Sequence, residues 1–240
     1  MDRAALITGG SSGIGLAIAR ALGEDGYRLT VSARRPDKLE AAAQQLRDEG
    51  FDVGALPANM ADEEEITKLV AAHRERCGRL DVLINNAGLG IGGAVADAET
   101  KKLDLQLNVN LRAVYLLARE AIPMLKEAGA EHGKALMANT ASYAGKHGQG
   151  WLAAYSATKF GVVGLSQALH KELGKDGVQV TALCPGFVAT PMTDWIEGQI
   201  PKDEMITTED IAEGIRFLLR TSRNCLVPEL QFVRPGDSEI

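Results

Sequence analysis

The sequence is poor in the features that mark secreted, membrane-spanning and metal-binding proteins. Its 240 residues include three cysteines, Cys77, Cys184 and Cys225, without C-x-x-C spacing, which indicates neither a disulfide framework nor a zinc site. No apolar run reaches the ~18 residues of a membrane span, and the first residues lack a signal peptide's hydrophobic stretch. We therefore expect a cytoplasmic protein that uses no metal, since a reducing compartment suits unpaired thiols.

The chain also lacks an excess of basic residues. Lysine and arginine number 26 against 32 acidic residues, a net charge of −6, so no general field attracts a polyanion and nucleic acid is not an expected partner. Glycine, in contrast, is abundant: the chain has 26, well above the usual ~7%, which predicts tight turns and close backbone approaches.

Strand-like apolar runs alternate with helical patterns along the chain, with no linker or repeat between them. The strand-like runs cover residues 4–8, 28–33, 52–58, 80–88, 134–142, 178–186 and 226–233. Helical patterns cover residues 16–26, 36–50, 62–78, 103–128 with a bend at Pro123, 152–173 and 209–219. We expect a single α/β domain over residues 1–240, a doubly wound Rossmann fold whose seven-stranded parallel sheet carries helices on both faces. Such a sheet binds ligands beyond the carboxyl ends of its strands.

A glycine-rich segment, TGGSSGIG, lies between the first predicted strand and the first predicted helix. Gly9, Gly13 and Gly15 would let backbone N–H groups approach a pyrophosphate, whose charge the positive end of the helix stabilises. By itself the segment could be an ordinary tight turn. Its place at the first βα turn of this fold favours dinucleotide binding.

The second predicted strand ends in SARRPDK, where an acidic residue usually binds the free 2′-hydroxyl of NAD. Ala33 stands where that acid would be. Arg34 and Arg35 follow it, and their guanidinium groups suit a 2′-phosphate. NADP is therefore favoured over NAD. The alternative is that these arginines are merely solvated, and for Arg35 that is the better reading.

The segment YSATK places Tyr155 and Lys159 four residues apart, on one face of a predicted helix. An unperturbed tyrosine has a pKa of ~10, and a nearby ammonium would lower it, which would make the pair a general acid/base. On spacing alone, an unrelated surface pair is the stronger interpretation.

These segments, with NNAG at residues 85–88, Asn110, CPGFVATPM at residues 184–192, and Ser142 thirteen residues before Tyr155, resemble the short-chain dehydrogenase/reductase superfamily over nearly the whole chain. The resemblance implies that Tyr155 donates a proton to a carbonyl oxygen that Ser142 also binds. It implies that Lys159 lowers the tyrosine pKa and binds the nicotinamide ribose, and that Asn110 holds a water linking Lys159 to solvent.

The same features point to a set of cofactor-binding residues. The set is Gly9, Ser11, Ser12, Gly13, Ile14, Gly15, Arg34, Arg35, Asn59, Met60, Asn86, Ala87, Gly88, Tyr155, Lys159, Pro185, Gly186, Val188, Thr190 and Met192. Asn59 stands where similar proteins commonly carry aspartate beside the adenine amino group, and its amide oxygen can still accept a hydrogen bond. Asn85 is expected to tie neighbouring strands together.

Two stretches depart from the resemblance. The tail LVPELQFVRPGDSEI lacks the hydrophobic diglycine end that many relatives use in subunit packing, so the expected homo-oligomer is either a dimer or a tetramer. The stretch between Pro191 and Thr208 is short, so any lid is small. There Met192, Trp195 and Ile196 offer either an apolar substrate wall or simple packing. Further candidates for substrate contact are His147, Gln149, Trp151 and Phe187.

The expected function is reduction of a small ketone, aldehyde or 3-oxoacyl compound with NADP(H), in either direction and without metal. One alternative is an NAD-linked dehydrogenase of secondary alcohols. Another is a dinucleotide-binding sensor or scaffold without catalysis, against which the intact set of Asn110, Ser142, Tyr155 and Lys159 speaks.

Overall fold

Seven parallel strands form one sheet in the computed structural model, which describes residues 3–235 and 237. The strands are β1 (Ala4–Thr8), β2 (Arg28–Ser32), β3 (Val53–Ala55), β4 (Val82–Asn85), β5 (Ala135–Thr140), β6 (Val178–Pro185) and β7 (Glu229–Phe232). Their order is β3-β2-β1-β4-β5-β6-β7, and every adjacent pair is parallel. The strand order reverses between β1 and β4, the position at which ligands bind in such sheets. The predicted doubly wound fold is confirmed.

Helices cover both faces of the sheet. They are α1 (Gly13–Glu24), α2 (Pro36–Asp48), α3 (Glu63–Cys77), α4 (Thr100–Leu107), α5 (Ala113–His132), α6 (Ala153–Leu173) and α7 (Thr208–Arg220). Successive residues of β1 point to opposite faces of the sheet. Ile7 packs with residues of α1, α2 and α7, whereas Leu6 packs with residues of α3 and α5. Among the described residues, no helix is both long and apolar enough to cross a bilayer.

The long central helix differs from its prediction. A π-helical segment, Asn108–Arg112, joins α4 to α5, and Pro123 lies inside α5, which is helical on both sides of it. The irregular turn is therefore around Asn110, where a buried side chain binds backbone groups of another loop. Hydrophobic periodicity could not show this, because the pattern continues through the segment.

Every strand except β1 is shorter than predicted, since flanking residues leave the sheet. β3 ends at Ala55, and residues 58–60 turn away to border a cavity beyond the sheet edge. β7 is Glu229–Phe232 rather than residues 226–233. Most of the tail singled out in the sequence, residues 226–240, lies outside β7, and residues 236 and 238–240 lie outside the described residues.

Candidate active site

A cavity of about 570 Å³ lies beyond the carboxyl ends of the strands. Every predicted cofactor residue except Gly15 lines it: Gly9, Ser11, Ser12, Gly13, Ile14, Arg34, Arg35, Asn59, Met60, Asn86, Ala87, Gly88, Tyr155, Lys159, Pro185, Gly186, Val188, Thr190 and Met192. Ser142 lines it as well, and Asn110 does not. Sequence reasoning missed several lining residues because their types carry no signal: Ala58, Leu89, Gly90, Val109, Thr140 and Thr193.

The turn after β1 presents backbone to the cavity. Gly9 and Gly13 have φ of +67° and +55°, a left-handed conformation that favours glycine. Ser12 precedes α1 without capping it through its side chain, so N–H groups of the first helical turn are left for an anion. Gly15 serves packing instead of lining: a Cβ there would lie 2.3 Å from the carbonyl oxygen of Gly9.

Hydrogen bonds join this turn to the loop after β4. Thr8 Oγ1 accepts from the backbone N–H groups of Asn86 and Ala87 at 3.0 and 3.1 Å. Asn86 Nδ2 donates back to the carbonyls of Thr8 and Gly9, at 3.3 and 3.4 Å. Asn85 behaves as expected, since its Nδ2 donates to Asn139 Oδ1 of β5 at 2.7 Å. The cavity floor is thus fixed by polar bonds between strand ends.

Two arginines stand at the cavity end that follows β2. Arg34 and Arg35 are exposed, and within residues 3–235 neither side chain has a hydrogen bond or ion pair. Ala33, which also lines the cavity, brings no negative charge beside them. Both guanidinium groups are therefore available to an anionic ligand.

Lys159 is a buried cation at the opposite end. It is 3% exposed, its Nζ donates to the Thr140 carbonyl at 2.7 Å, and burial lowers its pKa to about 8. The ammonium lies over the Tyr155 ring, 5.5 Å from the centroid. Thr140, which the sequence did not single out, fixes the direction of the lysine.

The pKa of Tyr155 shifts in the direction opposite to the expected one. Burial raises the pKa of its phenol above the usual value, and a hydrogen bond with Ser142 opposes that rise. The Lys159 ammonium lies over the ring face and donates to the Thr140 carbonyl. The phenol is accordingly held in its protonated form, beside the Ser142 hydroxyl.

Asn110 is fully buried and bound to backbone. Its Oδ1 accepts from the Leu89 N–H at 2.9 Å, and its Nδ2 donates to the Leu89 carbonyl at 2.8 Å and to Thr158 Oγ1 at 3.2 Å. The side chain therefore holds the loop after β4 in place. Its predicted part in binding a water stays a prediction.

That loop approaches the reactive side chains through glycine. A Cβ at Gly88 would lie 3.4 Å from Asn110 Oδ1 and 3.5 Å from Lys159 Nζ. A Cβ at Gly90 would lie 3.6 Å from the Tyr155 ring. With no side chain at Gly88 and Gly90, the loop passes close to the lysine and the tyrosine at these two positions.

The three residues predicted to form an apolar wall after β6 differ in their exposure to solvent. Ile196 is buried, which supports simple packing. Met192 and Trp195 are about half exposed, and Met192 lines the cavity. The Trp195 and Trp151 rings are neighbours, with centroids 6.1 Å apart. Among the described residues, no group of three His, Cys, Asp or Glu side chains could hold a metal ion.

Comparison with known proteins agrees with this geometry. Residues 3–200 match the family model described as short chain dehydrogenase. A putative ketoacyl reductase of Streptomyces coelicolor is 40% identical over 235 residues, covering 97% of this chain and 85% of the relative. A variant of actinorhodin polyketide ketoreductase solved with NADPH has a TM-score of 0.90 and 32% identity, covering 100% of this chain and 98% of that one. The 3-ketoacyl-(acyl-carrier-protein) reductase of Brucella melitensis, complexed with NADH, has a TM-score of 0.86 and 30% identity, covering 95% and 96%. The chain belongs to the short-chain dehydrogenase family.

Proposed function

We propose that this chain reduces the keto group of 3-oxoacyl compounds, using NADPH and acting within a single domain over residues 1–240. One observation carries the proposal: Tyr155 and Ser142 line one end of a cavity, with the Lys159 ammonium over the tyrosine ring, and the other end has two arginines whose side chains have no partner within residues 3–235. The relatives named as ketoacyl reductases support this choice of substrate class.

The residues suit a proton donor and an oxygen-binding group. Nicotinamide, when bound, would supply hydride to the carbonyl carbon. The Tyr155 hydroxyl would give its proton to the carbonyl oxygen as negative charge develops there, and Ser142 would donate a hydrogen bond to the same oxygen. The protonated phenol is the form that this role needs, which agrees with the direction of its pKa shift.

Lys159 would act on the same oxygen indirectly. Its buried ammonium favours the tyrosinate left after proton transfer, because opposite charges attract strongly where water is excluded. As the reaction proceeds in reverse, the same charge would favour removal of the alcohol proton. We therefore assign Lys159 two roles, orientation of the cofactor ribose and stabilisation of the tyrosinate.

The cofactor residues fit a phosphorylated dinucleotide. The left-handed glycines of the first turn and the uncapped start of α1 suit a pyrophosphate. Arg34 suits a 2′-phosphate, since it is exposed at the cavity and makes no ion pair within residues 3–235. The two related structures hold NADPH and NADH respectively, so the choice of NADP rests mainly on Arg34.

The proposed assembly is a homodimer or homotetramer. It rests on exposed apolar side chains that pairing of helices between subunits would cover: Leu103 and Leu107 of α4, Tyr115 of α5 and Phe160 of α6. The number of subunits stays a prediction.

Loss of NADPH absorbance tests the function directly. Purified protein is mixed with NADPH and a panel of 3-oxo esters, 3-oxoacyl thioesters, simple ketones, aldehydes and quinones. Tyr155→Phe should lower kcat by at least ~10²-fold with little change in NADPH affinity, because it removes the proton donor and retains the ring.

The matched control is Tyr115→Phe, which removes a hydroxyl from an exposed tyrosine outside the cavity and should leave kcat unchanged. Near-normal turnover of Tyr155→Phe would show that another group donates the proton. Absence of NADPH oxidation with every member of the panel would contradict the function itself.

A further inference from the structure

Both tryptophans of the chain lie together in the structure. Trp151 and Trp195 are the two that the sequence contains, and their ring centroids are 6.1 Å apart at an angle of 46°. Each is more than half exposed, 61% and 57%, although tryptophan is among the most buried residue types on average. Two large apolar rings in contact with each other and with solvent need an explanation.

The backbone holds Trp151 in an unusual conformation. Its φ is +67°, and no other non-glycine residue in the described chain has a positive φ. The Trp151 carbonyl accepts a hydrogen bond from the Gly93 N–H at 2.8 Å. The indole lies so close to Gly92 that a Cβ there would be 2.1 Å from its ring. Such a conformation persists where its surroundings impose it, and it commonly serves function.

The pair lies beside the cavity, next to residues that line its Tyr155 end, although neither indole lines the cavity itself. Trp151 precedes Tyr155 by four residues, and the glycine loop that contacts the indole through Gly92 contacts the phenol through Gly90. Trp195 follows Thr193, which lines the cavity. The two rings therefore join the segment before α6 to the segment after β6, next to the proposed proton donor.

We propose that Trp151 and Trp195 form a contact surface for a planar aromatic group attached to the substrate's keto carbon. The inference rests on the proposed function, and it names the substrate class as aryl-bearing 3-oxo compounds. Exposed indole faces and edges bind other aromatic rings beyond what burial of area provides.

The spacing of the rings defines how such a group would bind. Neighbouring aromatic rings keep their centroids ~4.5–7 Å apart, so a third ring inserted between two others would separate them by more than the 6.1 Å seen here. The substrate ring would instead pack on the free faces or edges of the pair. A saturated ring has neither the flat shape nor the π-system for such packing, and it provides the contrast for the test.

Two esters of equal ring size separate these possibilities. Ethyl 3-oxo-3-phenylpropanoate and ethyl 3-cyclohexyl-3-oxopropanoate differ in the flatness and π-system of the ring. We expect Trp195→Leu to lower the phenyl-to-cyclohexyl ratio of kcat/KM by about two- to tenfold, mostly through KM, because aromatic pairing contributes a factor of about this size. Trp195→Phe should retain most of the ratio.

Phe217→Leu is the matched control, since Phe217 is an exposed aromatic residue of α7 that does not line the cavity. It should leave the ratio unchanged. An unchanged ratio in Trp195→Leu, or an equal loss with both esters, would overturn the inference and leave the reductase function intact.

A binding measurement gives a readout independent of turnover. Intrinsic tryptophan emission reports on this pair alone, because the chain has no other tryptophan. Titration with ethyl 3-hydroxy-3-phenylpropanoate should change the emission saturably, and the cyclohexyl alcohol should have a weaker effect at the same concentration. Equal responses to both alcohols would contradict the inference. If the wild-type protein reduced neither ester, the other 3-oxoacyl compounds of the panel would decide on the proposed function, and this titration would decide on the aromatic surface separately.

Discussion

Two glycine-rich loops border the cavity, and they need glycine for different reasons. In the turn after β1, Gly9 and Gly13 adopt positive φ, and Gly15 faces the carbonyl oxygen of Gly9. In the loop after β4, Gly90 and Gly92 face aromatic side chains from distant parts of the chain. The first loop is limited by its backbone conformation and by the close approach of Asn86 and Thr190, whereas in the second loop the tight contact is that of Gly92 with the Trp151 ring.

This difference matches two kinds of ligand recognition, one by main-chain groups and one by side chains. A pyrophosphate is recognised by main-chain N–H groups and a helix end, which a short contiguous segment can supply. In the function proposed above, Tyr155 and Trp151 would contact a carbonyl substrate, and Gly90 and Gly92 of the loop lie against these two side chains. Each of the following predictions changes one of the two loops or a group beside it.

Gly15→Ala should have the largest effect, because it breaks the first loop. The new Cβ would lie 2.3 Å from the Gly9 carbonyl oxygen, so turn and helix must move apart. Overpacking of this kind costs ~1–3 kcal/mol or more, and we expect NADPH affinity to fall by about 100-fold with reduced stability. Calorimetric titration and urea unfolding measure both.

Gly164→Ala is the control for that change. Gly164 lies within α6 with no atom within 4 Å of a new Cβ, and alanine is the better helix former by ~0.5–1 kcal/mol. This variant should be as stable as the wild type or slightly more so. Equal NADPH affinity in Gly15→Ala and the wild type would contradict the packing role.

Lys159, whose buried ammonium lies beside Gly88 of the second loop, should make the free energy of unfolding depend on pH. Its pKa is about 8 in the folded protein against 10.5 for an ordinary lysine. Between these values the unfolded chain binds more protons, so the free energy of unfolding should rise with pH relative to Lys159→Met, by about 3 kcal/mol in all. Urea unfolding across this pH range would show it, and parallel curves for the two proteins would refute it.

Arg34→Ala tests the cofactor end beside the first loop. Loss of a charge-assisted hydrogen bond to the 2′-phosphate, ~1.5–3 kcal/mol, should reduce kcat/KM with NADPH by roughly 10- to 150-fold and change it little with NADH. Arg35→Ala, by comparison, should have a smaller effect. If the wild type used NADH as well as NADPH or better, the NAD-linked alternative would replace the NADP assignment.

Gly92→Ala should have the smallest effect, because a side chain and not backbone must give way. The Trp151 ring would have to move to admit the new methyl group. We expect a rise in KM for an aryl-bearing substrate of about two- to tenfold, without a change in NADPH affinity. Gly148→Ala, where a Cβ meets nothing within 4 Å, is the control, and a matching KM in both variants would argue against the contact.

Much of the site could be predicted because its signals are local. The first turn, the arginines after β2 and the Tyr155–Lys159 pair each occupy a few consecutive residues, and the fold brings strand ends to one edge. Gly15 was predicted to bind the cofactor and does not line the cavity, since a glycine needed for packing has the same appearance in sequence as one needed for binding.

Other features could not be predicted. The π-helical segment at Asn110, the Thr140 carbonyl that holds Lys159, and the raised pKa of Tyr155 depend on contacts between remote elements. Thr140 carries no signal in sequence, because it binds the lysine through its backbone, which every residue has.

The sequence by itself determined the order of strands and helices, the dinucleotide turn and the spacing of the proton donor and lysine, since hydrophobic period and glycine position act over a few residues. Only the tertiary structure decided which glycines face backbone and which face aromatic rings, and it alone brought Trp151 beside Trp195. The physical reason is that excluded volume acts between atoms close in space, and residues that meet across the cavity are far apart along the chain.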